Sequence, residues 1–343
     1  MDWKDLSILI TGGTGSFGKK FIEKVLLNPP RRLIIFSRDE VKQLQIHQRY
    51  PDSKYPALRY FIGDIRDKER LYRAFQGVDL VVHAAALKQV PTAEYNPLEV
   101  IKTNVLGVAN LIDAAIDCGV KKVIALSTDK AVKPINLYGA TKLCADKLIV
   151  SAMNYAGPKN IKFSVVRYGN VMGSRGSVIP IFLEHRNRGV LPITDPRMTR
   201  FWLTLGQAVD FVLKCSELLR GGEIFIPKLK SMRIIDLAKA LAPKCRHEIV
   251  GIRPGEKLHE VLITEDEARR TLEFPDFFVV QPGPILPGWN NGYLMGGHPV
   301  SEDFSYSSDA NDCWMTPREL LLSLEEDEQA TNAEVYPLRT AMG

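Results

Sequence analysis

The sequence predicts an α/β chain, a doubly wound parallel sheet followed by a smaller C-terminal region. Three observations predict it. Short, nearly continuous apolar runs alternate with amphipathic helical stretches through the first half, as in a parallel sheet covered on both faces. Three glycines, Gly12, Gly15 and Gly18, close the first of those runs and open the first helical stretch. After about Asn170 the alternation fades, and proline and glycine punctuate the chain more often.

The elements follow in order. Residues 6–11 are apolar and read as the first strand. Residues 16–27 carry Phe17, Phe21, Ile22, Val25 and Leu26 at helical spacing. Residues 33–36 and 60–62 read as the second and third strands, with a helix over 67–75. Residues 78–84 are the fourth strand, and a long helical segment spans 94–118. Residues 122–127 and 162–167 are the fifth and sixth strands, with a helix over 137–155 between them. Right-handed crossovers then favour the doubly wound order.

These elements divide the chain into a nucleotide-binding domain over 1–169 and a mainly substrate-binding region over 170–343. Strands at 223–226 and 249–252 are expected to return to the sheet. Residues 281–299, rich in proline and glycine, read as irregular, and the acidic run 325–328 lies near an end expected to fray.

Composition excludes several classes. With 45% hydrophobic and 25% charged residues, the 343-residue chain suits an ordinary soluble globular protein. The net charge of +5 is small for this length, and no basic run interleaved with aromatics points to nucleic acid. The start, with Asp2 and Asp5, is unlike a signal peptide. Residues 78–87, the longest apolar stretch, contain Asp79 and His83 and fall short of the roughly 18 residues that a membrane span needs. Five scattered cysteines without a C-x-x-C fit reduced thiols in the cytoplasm, and no histidine pair has metal-ligand spacing.

The glycine triple G-x-x-G-x-x-G sits between strand and helix, where backbone N–H groups can approach a pyrophosphate. Thr14, Ser16 and Phe17 fill the loop between its glycines. At the end of the second strand an acid would suit the ribose of NAD. Here Ser37 and Arg38, with Lys42 beyond, suit the 2′-phosphate of NADP; Asp39 and Glu40 follow at once and either can turn inward. Asp64 and Ile65 are placed to meet the adenine. Ala84, Ala85 and Ala86 give the cofactor a small-residue floor or, more plainly, let a helix pack closely.

Tyr-x-x-x-Lys occurs three times, at Tyr50/Lys54, Tyr138/Lys142 and Tyr155/Lys159. Pro51 and the Gly157-Pro158 pair break the first and last, so only Tyr138 and Lys142 lie on one continuous helix, four apart on a shared face. Lys142 is therefore expected to lower the Tyr138 pKa and to hold a nicotinamide ribose. The phenol then serves as a base toward a sugar hydroxyl, with Thr128 bonding the same hydroxyl. Asp129 and Lys130 add an acid and a second amine beside them. A lysine acts as base only if its pKa falls well below about 10.4. Burial, a cationic nicotinamide and Lys142 are expected to push Lys130 down. A surface lysine in a loop is the plainer alternative.

At these residues the chain resembles the extended short-chain dehydrogenase/reductases, whose fold is Rossmann-type. More narrowly it is similar to the UDP-N-acetylglucosamine 4,6-dehydratases that invert sugar carbon 5, in pseudaminic acid synthesis. The segments are ITGGTGSFG at 10–18, HAAALKQVPTAEYNP at 83–97, STDKAVKPINLYGATK at 127–142, RYGNVMGSRGSVIP at 167–180, ITDPRMTRFW at 193–202, GIRPGEKLHE at 251–260 and FSYSSD at 304–309.

The resemblance implies NADP as cofactor, UDP-N-acetylglucosamine as substrate and a homo-oligomer. It implies oxidation at carbon 4 with Tyr138 as base, removal of the carbon-5 proton by Lys130, protonation of the carbon-6 hydroxyl by Asp129, and hydride return to carbon 6. Retaining relatives carry Asp-Glu where this chain has Asp129-Lys130. The resemblance also places substrate groups: Arg253 and Arg200 for the diphosphate, Glu256 for the uridine ribose, Lys88 and Asn170 near the sugar, and Arg175, Ser177, Val178 and Thr194 around the nucleotide. A UDP-hexose 4-epimerase is the nearest rival, without need of Asp129-Lys130. A non-catalytic NADP-sensing regulator is a second, though it would have no reason to keep both Tyr138 and Lys142.

Overall fold

The computed structural model describes residues 3–157, 159–174, 177–283 and 296–331. Six strands form the predicted parallel array: β1 (Ser7–Thr11), β2 (Arg32–Ser37), β3 (Leu58–Ile62), β4 (Leu80–His83), β5 (Lys122–Thr128) and β6 (Lys162–Tyr168). They lie in the order β3-β2-β1-β4-β5-β6, each parallel to its neighbour. All five residues of β1 are buried, as an interior strand with both faces covered requires. Strand order reverses beside β1, which opens a crevice at the carboxyl ends of β1 and β4.

The sheet continues beyond β6. Ile224–Pro227 joins it in parallel, as its apolar run predicts. Phe277–Val280, Thr271–Glu273 and His298–Pro299 then extend it antiparallel, to ten strands among the described residues. The C-terminal half thus contributes four strands to the sheet begun by the first half. Buried Arg167 on β6 locks this return, donating to the Leu262 carbonyl at 2.9 Å and to both oxygens of Glu267 at 3.1 and 3.0 Å. A second hydrophobic cluster, including Met172, Phe182, Trp202, Leu237 and Leu320, lies apart from the sheet core.

Three expectations need correction. Residues 94–118 are not one helix. Val90–Tyr95 ends at Asn96, Pro97 starts a new turn (Pro97–Ile101), a π-helical turn covers Lys102–Leu106, and Gly107–Asp117 completes the run. The proline, lacking an N–H and favoured at a first turn, sets the break. The strand near 249–252 does not join the central sheet: Arg246–Ile249 pairs with Val190–Ile193 in a separate two-stranded sheet, and Ile249 and Ile252 remain exposed. Of the stretch 281–299, His298–Pro299 is an edge strand, while 284–295 lie outside the described residues. The acidic run 325–328, expected near a fraying end, lies in the last turns of the helix Pro317–Thr331, and 332–343 lie outside the described residues.

The helices of the C-terminal half, Leu205–Leu218 among them, had no place in the sequence reading, and in the first half the helix after β2 was missed. Glu40–Arg49 is mostly polar and buries only Gln43 and Ile46, so its periodicity is faint. Asp39 fixes its start by accepting from the Lys42 N–H at 2.9 Å.

Candidate active site

A cleft of about 590 Å³ lies at the carboxyl ends of the parallel strands. The glycine loop forms one wall. Gly12 has φ of +67°, and a Cβ there would stand 2.9 Å from Cα of Ala85, so the loop meets the backbone of the alanine floor only because Gly12 has no side chain. The helix Ser16–Val25 begins at Gly15 with no side-chain cap, leaving its first N–H groups to face the cleft. Thr14 Oγ1 and Ser37 Oγ, 2.7 Å apart, tie the loop to β2. Ser16, Phe17 and Gly18 line the same wall, and Ala84, Ala85 and Ala86 the floor. A flat dinucleotide fits this cradle, because bulk is absent where a pyrophosphate would approach.

At the end of β2 the cleft is edged by Ser37, Arg38, Lys42, Asp64 and Ile65. Arg38, half exposed, stands 3.4 Å from Asp64, which also takes an Arg66 nitrogen at 2.7 Å. Asp39 does not present a free carboxylate. It caps the next helix and pairs with the Lys42 amine, a hydrogen bond that holds its pKa below the ordinary value. Every cofactor residue expected from sequence lines the cleft.

The chemical groups cluster at the ends of β5 and of the helix Leu137–Tyr155. Thr128, Lys130, Tyr138 and Lys142 line the cleft together. The helix reaches the 129–131 turn through Gly139, where a Cβ would lie 2.1 Å from the Lys130 carbonyl oxygen. Asn136 caps that helix, accepting from the Gly139 N–H at 2.7 Å, and donates to the Gly255 carbonyl at 2.7 Å. Asp129 is fully buried and does not line the cleft. Its Oδ1 accepts from Thr128 Oγ1 at 2.9 Å and from the Lys130 amine at 3.0 Å, while Oδ2 has no hydrogen-bond partner.

The electrostatics depart from the sequence reading in two ways. Burial lifts the Tyr138 phenol to about 12, and the cation pulling it down is Lys130, helped by Thr128. Lys142 instead donates to the Leu126 carbonyl at 2.7 Å, and burial lowers its own pKa. Burial also pushes Lys130 down, as expected, but the carboxylates of Asp129 and Glu260 outweigh it, and its pKa stands above the ordinary lysine value. Here Lys130 is an ammonium held between two acids.

The expected substrate groups divide. Lys88, Asn170 and Ser177 line the cleft, and the buried Asn170 Oδ1 and Ser177 Oγ have no hydrogen-bond partner, as donors or acceptors awaiting a polar ligand would. Burial and the nearby Lys130 lower the Lys88 pKa. Val178 opens the helix next to Ser177, outside the lining. Arg253 is exposed and Glu256 partly buried on the turn that Asn136 holds. Thr194 donates to the Met198 sulfur. Arg200 does not reach the cleft; its guanidinium is spent on the carbonyls of Thr199, Leu258 and Lys257. Arg175 lies outside the described residues.

Sequence reasoning missed two groups. Asp146, four residues past Lys142 on the same helix, accepts from Ser127 Oγ at 2.7 Å, and i,i+4 spacing could have found it. Glu260, next to Lys130, carries no such signal, since Lys130 is remote from it in the chain.

The comparisons with known proteins agree with this geometry. A family described as "Polysaccharide biosynthesis protein" matches residues 8–282. The UDP-N-acetylglucosamine 4,6-dehydratase (inverting) of Campylobacter jejuni is 53% identical over 330 residues, 94% of this chain and 98% of that protein. This chain belongs to that dehydratase family. A UDP-glucose 4-epimerase of Rickettsia conorii is more distant, 40% identical over 96% of this chain and 99% of its own. Among solved structures, Pen from Bacillus thuringiensis superposes on the dehydratase fold with a TM-score of 0.87 at 38% identity, covering 96% of this chain and all of that one.

Proposed function

We propose that this chain oxidises UDP-N-acetylglucosamine at carbon 4, eliminates water across carbons 5 and 6, and returns hydride to carbon 6 with inversion at carbon 5. The observation that carries the reading is Lys130, which lines the cleft with Tyr138 and is paired from behind with the buried Asp129. A 4-epimerase needs the phenol but has no use for that acid–amine pair. The identity to the inverting dehydratase of C. jejuni, well above that to the R. conorii epimerase, points the same way.

A nicotinamide supplies the hydride acceptor and donor when bound, and the glycine loop, alanine floor and Lys142 would hold it. Ser37, Arg38 and Lys42 favour NADP, because Asp39, the acid that might have met a 2′-hydroxyl, is committed to a helix cap and to Lys42. Tyr138 takes the carbon-4 hydroxyl proton while Thr128 orients that hydroxyl. The carbon-4 ketone acidifies the proton on carbon 5, and Lys130 removes it once its own proton has gone. The proton that Lys130 gives up passes to Asp129, 3.0 Å from its amine, and from there to the departing carbon-6 hydroxyl, which leaves as water. Lys88, Asn170 and Ser177 hold the sugar and its phosphates, and Arg253 and Glu256 close over the nucleotide from their turn.

We assign the product to pseudaminic acid or related glycan synthesis and the enzyme to the cytoplasm; no helix among the described residues is long and apolar enough to cross a membrane. Exposed Tyr95, Leu98 and Leu106 offer an apolar surface for assembly into a homo-oligomer. Proton NMR of a turnover mixture of enzyme, NADP and UDP-N-acetylglucosamine tests the reading. A new methyl doublet with the carbon-5 configuration reversed supports it; a hexose epimer without a methyl group would refute it.

A further inference from the structure

Glu260 belongs to no element of the sheet's cofactor edge, yet its side chain is only 3% exposed and stands at the Lys130 amine. Its Oε1 lies 3.6 Å from Lys130 Nζ and 3.9 Å from Arg200 Nε, and its Oε2 lies 3.4 Å from Lys257 Nζ with no hydrogen bond of its own. A buried carboxylate oxygen left without a hydrogen bond is costly, so the local fold must hold it there. It does so by the backbone. The Glu260 N–H donates to Ser308 Oγ at 2.9 Å, and the Ser308 N–H donates to the Glu260 carbonyl at 2.8 Å. Arg200 clamps the same segment, donating to the carbonyls of Leu258 at 3.0 Å and Lys257 at 2.9 Å. The only carboxylate that sequence places at Lys130 is Asp129; the fold adds a second from the far side.

We propose that Glu260 is a positioning residue for Lys130, holding its amine toward the cleft and setting how readily that amine gives up its proton. The inference rests on the reading of Lys130 as the carbon-5 base and deepens it. The charged groups around the pair are Asp129 on the same turn, Lys88 after β4, Arg200 and Lys257, with Tyr138 on the facing helix. Asp309, close by in sequence to Ser308, faces His259 at 4.0 Å instead. Glu260 and Asp129 favour the ammonium, whereas Arg200 opposes it. Glu260 must also satisfy Lys257, whose amine is anchored on the Val132 carbonyl at 2.6 Å, so its hold on Lys130 is shared.

The device has a signed consequence. A base that must be neutral works faster as pH rises through its pKa. Removing a nearby negative charge lowers that pKa and moves the acid limb of the rate profile to lower pH. Removing a competing cation does the reverse.

The experiment follows incorporation of solvent deuterium at carbon 5 of UDP-N-acetylglucosamine against pH, in wild type, Glu260→Gln, Lys257→Met and Lys130→Ala, each first shown by circular dichroism to be folded. Glu260→Gln is expected to shift the acid limb downward by about one unit, so that exchange well below the wild-type midpoint is about tenfold faster. Lys257→Met is expected to shift it upward. Opposite shifts are something that mere loosening of the fold would not give. Profiles coincident with wild type in both variants, or both displaced in one direction, would overturn the role of Glu260. If Glu260→Gln does not fold, the upward shift in Lys257→Met supports the role by itself, and its absence overturns it. The Lys130→Ala arm separates the two claims: exchange at the wild-type rate there sinks the base assignment itself, and with it this inference. Loss of exchange there, with unmoved limbs elsewhere, sinks only the part given to Glu260.

Discussion

The two walls of the cleft are built by different physics. The cofactor wall is made of absences: Gly12 approaches the Ala85 backbone because it has no side chain, and the first helix turn is left without a side-chain cap. The chemical wall is made of charges, with Lys130 between Asp129 and Glu260, and Arg200 and Lys257 behind them. The first wall comes almost entirely from residues near the ends of adjacent strands. The second needs two segments far apart in the chain to meet. Binding a shared cofactor asks only for shape and backbone donors, and a local loop supplies them. Tuning one amine for one proton transfer asks for opposed charges at fixed distance, and those the chain draws from remote places.

Substitutions at the seam between the walls should show that difference, beginning with the most damaging. Gly139→Val places a side chain where a Cβ would already sit 2.1 Å from the Lys130 carbonyl. It should cost about 3 kcal/mol or more, measurable as a lowered midpoint in urea unfolding, and should depress turnover further than stability alone explains. Undiminished turnover would mean that the helix and the 129–131 turn need not touch.

The cofactor side offers a pH experiment. His83, buried at the end of β4 with Nδ1 2.8 Å from Thr11 Oγ1, has its pKa pushed down to about 3, by burial first and by Lys142 second. In the fold it is neutral; in the unfolded chain it takes up a proton below about 6.5. The unfolded state therefore binds more protons between those values. Stability should be intact above pH 6.5 and fall as pH drops toward 3, by about 1.4 kcal/mol per unit from this group. Denaturant unfolding at several pH values, compared with His83→Asn, should show a gentler slope in the variant; equal slopes would remove His83 from the account.

The smallest effect is expected at Asn136. Its replacement by alanine removes a helix cap and the bond to the Gly255 carbonyl, and should lower stability by about 1 kcal/mol. Because that bond holds the turn bearing Arg253 and Glu256, KM for the sugar nucleotide should rise while cofactor affinity stays unchanged, which paired titrations would show.

Legibility in the sequence followed the same division. Six parallel strands, the glycine loop, the alanine floor and the Tyr138–Lys142 face could be read because each depends on periodicity or on residues a few positions apart. The long helix over 94–118 was misread because Asn96 and Pro97 break an otherwise even run of helix formers. Arg200 looked like an anion-binding group because sequence cannot show that its nitrogens are already taken by backbone carbonyls. The state of Lys130 was misjudged too. Burial and neighbouring cations were weighed as reasons for a low pKa, whereas the adjacent Asp129, the stronger opposing carboxylate, was read only as an acid, and Glu260 was hidden by distance along the chain.

The central claim is that Lys130 removes the carbon-5 proton, and Lys130→Ala tests it most directly. With the variant, NADP and UDP-N-acetylglucosamine in heavy water, absorbance at 340 nm should still show reduction of the cofactor, while deuterium at carbon 5 should fall by about a hundredfold or more. Reduction together with wild-type labelling of carbon 5 would contradict the account.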